Sequence, residues 1–192
     1  MNNPKTAKFI AKWYKTLHQK GREYLCTHDF IDEYDKLTVE NLKFVQEKTG
    51  TDDAEVWQVI ENNFEKIRSA VMGLPRTLVY TDFHFTNLAV ARDGTSALVF
   101  DYNFFYKSYA YSDIRNVCYS LSDEAKEAFL NAYGEFDKHE VVVDDAVSIL
   151  SSLFIVCSHN EIFPDWAIGL IDMLKGEWLM AAIKKLLEAN AV

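Results

Sequence analysis

The chain has 192 residues, with 20 Lys and Arg against 29 Asp and Glu, giving a formal charge of −9. Hydrophobic types at 49% and charged types at 26% are the balance of a globular chain and exclude an intrinsically disordered one. An acidic surplus also argues against sequence-independent nucleic-acid binding, which depends on Lys and Arg neutralising phosphates, so no nucleic-acid partner is expected.

In chain order, the first predicted element is a helix over 6–20. Phe9, Trp13 and Leu17 recur at four-residue spacing with Ile10 and Tyr14 alongside, and Gly21 is the expected stop. A second helix is expected over 39–48, capped by Thr38 and ended by Gly50. The third carries the clearest stripe, Val56, Ile60, Phe64, Ile67 and Val71, behind the cap candidates Asp52 and Asp53. Gly73-Leu74-Pro75 terminates it. These stripes read as core faces. After Pro75 the period changes: Leu78-Val79-Tyr80, Leu88-Ala89-Val90 and Ala97-Leu98-Val99-Phe100 are short apolar runs. The last two flank the turn-rich segment 92–96, which predicts a β-hairpin centred on Gly94. Helices are then expected over 113–121, 123–133, 141–158 and 164–188. The fold class read from this order is mainly α with a small β-hairpin.

Cys26, Cys118 and Cys157 have no metal-site or disulfide spacing, which points to a reducing compartment. The N-terminal segment lacks the apolar core of a secretory signal. The longest apolar stretch, 146–157, is interrupted by three serines, so no membrane partner is expected and the localisation read here is cytoplasmic.

The informative polar residues lie in the central β region. Asp82-Phe83-His84-Phe85-Thr86-Asn87 sits between two apolar runs, and Asp101 follows the third. With the turn centred on Gly94, Asn87 and Asp101 are each seven residues from it and should face each other, Cα atoms about 5 Å apart. Asp82 can reach the same corner from its loop. A carboxylate beside an amide oxygen suits Mg²⁺, which takes hard oxygen ligands and shares substrate phosphates. A second carboxylate held off the metal can orient a hydroxyl and accept its proton. That division of labour is the one phosphoryl transfer needs. Singly these residues are ordinary for strand ends and turns, and His84 alone reads as a hydrogen-bonded structural histidine. Asp113, twelve residues after Asp101, opens the next helix.

The segment from Leu78 to Val117 resembles the catalytic core of the aminoglycoside phosphotransferase and choline kinase family, relatives of the protein kinases, whose pattern is H-G-D-x-H-x-x-N, a hairpin, I-D-[WF] and a later helix-opening Asp. The resemblance implies a kinase-like C-terminal lobe spanning 1–192, helical over 1–75, with catalytic loop and hairpin over 76–101 and helical again over 102–192. It implies Asp82 as catalytic base, Asn87 and Asp101 as Mg²⁺ ligands contacting ATP, the phosphoryl donor, His84 as a loop histidine grouped with the catalytic residues, and Asp113 as a structural brace. The acceptor implied is a small-molecule hydroxyl. Tyr80-Thr81 stands where the family has His-Gly, and Phe85-Thr86 where Pro-Gly is frequent.

Phosphoryl transfer also needs a cover over the nucleotide phosphates and a Lys reaching them. No two glycines lie at G-x-G spacing, the closest pair being Gly169 and Gly176, and no Lys lies in a strand-like run upstream of the motif. In the family both come from an N-terminal lobe, so the resemblance implies such a lobe as a partner in a separate chain, or a chain that is a fragment of a longer protein, and a homodimer covering the corresponding apolar surface is a further expectation. The other reading is a non-catalytic binding or regulatory module of kinase ancestry. The aromatic tract Tyr102, Phe104, Phe105, Tyr106, Tyr109 and Tyr111 reads as packing an irregular loop onto the helices, with a platform for a cationic or sugar-like acceptor as the alternative. Asp144, Asp145, Glu161 and Asp165 read as a solvated face, with a polyamine-like acceptor site as the alternative.

Overall fold

Apolar stripes at helical spacing fold as helices, and the stretch after Pro75 folds as two small sheets. The computed structural model of the protein describes residues 3–94 and 96–190; Thr95, in the expected turn, lies outside them. In chain order the elements begin with α1 (Pro4–Tyr24), α2 (Val39–Thr49), α3 (Val56–Met72), β1 (Thr77–Tyr80) and β2 (Leu88–Val90). They continue with β3 (Ala97–Val99), β4 (Phe105–Ser108), α4 (Ala110–Tyr119) and α5 (Asp123–Tyr133). The last three are α6 (Lys138–His159), α7 (Asp165–Lys175) and α8 (Glu177–Ala189). The chain forms two compact units, one from the segment ending at Glu33 with Pro75–Asp137, the other from Tyr34–Leu74 with the segment from Lys138 onward.

In the first unit, Asn3 caps α1 by accepting from the backbone N–H groups of Lys5 and Thr6. Ala7, Ile10, Ala11, Tyr14 and His18 form its buried face, while Phe9, Trp13 and Leu17 flank that face half-buried. The helix does not stop at Gly21. It runs on to Tyr24, and Gly21 serves packing instead: a Cβ there would lie 2.6 Å from both N and Cβ of Leu78. Only a glycine lets β1 press this closely on α1. Beside it the Thr77 hydroxyl donates to the His18 carbonyl at 2.6 Å. The core joins Ala7, Ile10, Ala11 and Tyr14 to Tyr80, Phe83, Val99, Ile114, Val117, Phe129 and Tyr133.

The β region is two antiparallel pairs, β1 with β4 and β2 with β3. The second pair is the expected hairpin, and Gly94 adopts a φ of +66° in its turn. The first pair was not expected. β4 comes from the aromatic tract, aligning Thr77 with Ser108 and Tyr80 with Phe105. Its four residues carry no turn signal beside them, and their partner lies about 28 positions upstream, so local pattern does not reveal the strand.

In the second unit α2 starts on Thr38, whose hydroxyl accepts from the Asn41 N–H at 3.2 Å, and ends on Gly50. α3 buries Val56, Trp57, Ile60, Phe64, Ile67 and Val71. It begins after Glu55 with no side-chain cap bond, so neither Asp52 nor Asp53 caps it. The expected 164–188 helix is two, α7 and α8, broken where Gly176 becomes extended. α6 is, by length and composition, apolar enough to cross a membrane, and 56% of its most apolar window is buried inside the protein, as in a core helix. The three serines therefore interrupt its hydropathy less than the sequence reading held. Asp144 on this helix is buried at 1% exposure, which overturns the solvated-face reading there, while Glu161 and Asp165 are exposed.

Candidate functional site

The site is built in the first unit, where β1 ends and the chain must turn. Tyr80 is the last residue of β1 and is wholly buried. The loop after it leads into a short 3₁₀ helix, Phe85–Asn87, that feeds β2. That tight turn swings Asn87 back over the loop. Its amide nitrogen donates to the Asp82 carboxylate at 2.9 Å, to the Asp82 carbonyl at 3.1 Å and to the Tyr80 hydroxyl at 3.1 Å. The Tyr80 hydroxyl in turn sits 3.2 Å from the Phe100 carbonyl oxygen and 3.1 Å from that of Asp101, both acceptors. Asp82 and Asn87 are thus in direct contact, and Asp101 joins them through its main chain and one buried phenol.

The register differs from the expectation by one residue. Leu88 pairs with Val99 and Val90 with Ala97, so Phe100, not Asp101, stands opposite Asn87, and its N–H donates to the Asn87 carbonyl at 3.0 Å. Adjacent strand residues point to opposite faces, so a one-residue slip would separate the two side chains if the strand continued. It does not continue. Asp101 lies just past β3 with φ of +65°, the one described non-glycine residue in the left-handed region. Such a conformation in a non-glycine residue persists only where surrounding contacts hold it, and it collects at functional sites. The exposed Asp101 carboxylate also accepts from the Asn103 side-chain amide.

Beneath the loop lies a buried polar chain. The Asp113 carboxylate, wholly buried in the first turn of α4, accepts from the Tyr80 backbone N–H at 2.9 Å and from His18 Nε2 at 2.9 Å. His18 Nδ1 lies 2.7 Å from the Tyr133 hydroxyl. The Tyr14 hydroxyl donates to the Tyr80 carbonyl at 3.4 Å. Burial pushes the Asp113 carboxyl up to about 6, against the opposing pull of its bonds to His18 and Tyr80, and the Glu33 charge adds to the rise. Burial likewise raises Tyr14 well above the usual phenol range, with Asp113 adding to it, and raises Tyr80, although the bond from Asn87 works the other way.

His84 is exposed and caps the 3₁₀ helix, with Nδ1 2.9 Å from the Thr86 hydroxyl. In the aromatic tract Tyr102 and Phe104 are about half exposed, Phe105 and Tyr111 pack partly buried against the core, and Tyr109 is fully buried. Among the described residues no three or more His, Cys, Asp or Glu side chains gather as a metal site; the candidate oxygen donors are an amide and a carboxylate. Three participants escape sequence reasoning. Tyr80 looks like a departure from pattern, and His18 and Tyr133 look like members of apolar stripes. A His on a buried helix face is the one signal that points to such a network.

No protein-family profile and no curated protein sequence matches this chain. Its structure is similar to the crystal structure of choline kinase LicA from Streptococcus pneumoniae, with a TM-score of 0.54 and 17% sequence identity over 96% of this chain. The match spans 64% of that protein's length. At this identity the likeness is one of fold: the chain has a kinase-like, mainly helical fold with small antiparallel sheets.

Proposed function

We propose that this chain carries the phosphoryl-transfer centre of a small-molecule kinase, which moves the terminal phosphoryl group of ATP onto an acceptor hydroxyl. The observation that supports this most is the convergence of Asp82, Asn87 and the Asp101 main chain on one corner, beside the half-exposed end of the hairpin. The donor chemistry fits a hard divalent cation. Contact with Asp82 engages the Asn87 amide nitrogen, so the amide oxygen, which accepts from the Thr86 hydroxyl at 3.4 Å, is the candidate ligand atom, and the Asp101 carboxylate is exposed. Asn87 and Asp101 would hold Mg²⁺, which when bound supplies neutralisation of phosphate charge. Asp82 would orient the acceptor hydroxyl and take its proton as that oxygen bonds to the terminal phosphorus and ADP departs. Asp113 would brace the loop through the Tyr80 N–H.

The elements that cover the nucleotide phosphates are proposed to come from a further segment or a partner chain, since these 192 residues hold no pair of glycines at G-x-G spacing. The same observation favours a second reading, a non-catalytic module that binds without turnover. Calorimetry with Mg-ATP, followed by an ATPase assay with pooled amino alcohols and aminoglycosides, separates the two. Saturable binding that Asp101→Ala abolishes is expected, and acceptor-dependent turnover selects the enzyme. Binding that Asp101→Ala leaves unchanged removes the role given to Asp101.

A further inference from the structure

Tyr80 occupies an unusual position. Its side chain is fully buried, its ring lies against Trp13, Tyr102 and Phe105 with centroids 5.8, 6.3 and 5.6 Å away, and its backbone is held at both polar groups. The ring therefore has no room to swing, and the hydroxyl is delivered to one point. A buried hydroxyl must find partners, and it has one proton to give and two lone pairs to fill. Here it accepts from Asn87 and donates to the paired carbonyls of Phe100 and Asp101. It bridges the loop 82–87 to the segment 100–101, beside the direct bond from the Phe100 N–H to the Asn87 carbonyl at 3.0 Å.

Two further observations give this contact a purpose beyond packing. Asp101 is held in a left-handed conformation that is unfavourable for a non-glycine residue, and a hydrogen bond to its own carbonyl is a contact able to hold it there. Asn87 divides its two amide protons among Asp82 and Tyr80, which fixes the amide plane and hence the direction of its oxygen. We infer that Tyr80 is a positioning residue whose hydroxyl sets the relative placement of the Asn87 amide and the Asp101 backbone, so that the Asn87 amide oxygen and the Asp101 carboxylate converge on one cation. This deepens the kinase reading above and rests on it.

The test uses Mn²⁺ as a spectroscopic probe in place of Mg²⁺, with paramagnetic resonance titrations of the wild type, Tyr80→Phe and Asp101→Asn. The phenylalanine variant keeps the ring and its contacts, so its circular dichroism should match the wild type. Its Mn²⁺ affinity should fall about tenfold, the usual lower bound for loss of a partner that orients a ligand. In amide NMR spectra the Asn87 side-chain signals should shift with no metal present. Wild-type-like Mn²⁺ affinity in Tyr80→Phe, while Asp101→Asn loses binding, overturns the positioning role and leaves the kinase reading intact. A wild type that fails to bind Mn²⁺ with or without ATP overturns both. If Tyr80→Phe does not fold, the wild-type spectrum decides: a slowly exchanging Tyr80 hydroxyl proton with an Overhauser contact to the Asn87 amide supports the inference, and its absence overturns it.

Discussion

Replacing Asp113 with Asn tests the buried network without touching the exposed end of the site. Asp113 is wholly buried, one carboxylate oxygen accepts from Tyr80 N–H and His18 Nε2, and the other has no hydrogen-bond partner. The charged and titratable groups facing it are His18 on α1, Tyr14 on the same helix and Glu33. Burial lifts its carboxyl to about 6, above the value of roughly 3.9 in an unfolded chain. A group whose native value is raised stabilises the fold fully below the unfolded value and loses that contribution as pH climbs through the native one. The gap of about two units corresponds to roughly 3 kcal/mol, lost between about pH 4 and pH 6. Asn cannot ionise. Urea denaturation of both proteins at several values from pH 4 to pH 7.5 cancels the titration of other groups in the difference. The stability of Asp113→Asn relative to wild type should rise by up to roughly 3 kcal/mol across that range. A constant offset is also expected, about 1–3 kcal/mol against the variant, because its amide NH₂ replaces the unpartnered oxygen. A difference with the opposite slope would falsify the assignment, because it would mean that attraction to a protonated His18 outweighs desolvation.

Three other outcomes follow from the same contacts. Gly21→Ala should destabilise the protein by about 3 kcal/mol in thermal or urea melts, since the new methyl meets the Leu78 backbone at 2.6 Å and neither element can give way cheaply. Asp82→Asn should lower acceptor-dependent turnover by about 10²–10⁴-fold while leaving Mg-ATP affinity near wild type, because an amide oxygen still accepts from Asn87 but takes no proton; equal loss of binding and turnover assigns Asp82 to structure instead. Thr38→Ala removes the hydroxyl that caps α2 and should cost about 1 kcal/mol by denaturant titration, with no effect on Mn²⁺ binding.

How far the fold is legible in the sequence follows the range of the interaction that makes each element. Thr38 and Gly50 bracket α2 because a cap is a contact within four residues, and the 123–133 helix is found at its observed bounds for the same local reason. Gly21 misleads because its purpose is a strand more than fifty positions away, not a helix end. β4 is invisible because pairing with β1 makes it a strand, and the expected Asn87–Asp101 pairing misses by one because the turn closes between residues 93 and 94 rather than on Gly94. Asp144 is misjudged because exposure is the usual fate of a carboxylate, and nothing in 138–159 marks this one as buried.

The site divides the same way, and the division bears on how departures from a motif should be weighed. Asp82 and Asn87 are legible as a pair because five residues and one 3₁₀ turn bring them together. Their tie to Asp101 is not legible, because it runs through a hydroxyl that stands as a departure from the pattern the segment resembles, the Tyr at 80 where that pattern has His. A missing consensus residue removes a particular side chain, whereas geometry asks only for a donor or acceptor at a given point. The Tyr80 hydroxyl supplies both at once, accepting from Asn87 and donating toward Phe100 and Asp101, from a ring that the core holds still. The substitution at 80 is therefore a reason to measure metal binding in this protein, whereas at 81 the bond from the backbone N–H to the Phe104 carbonyl at 3.2 Å is one that any residue but proline can make.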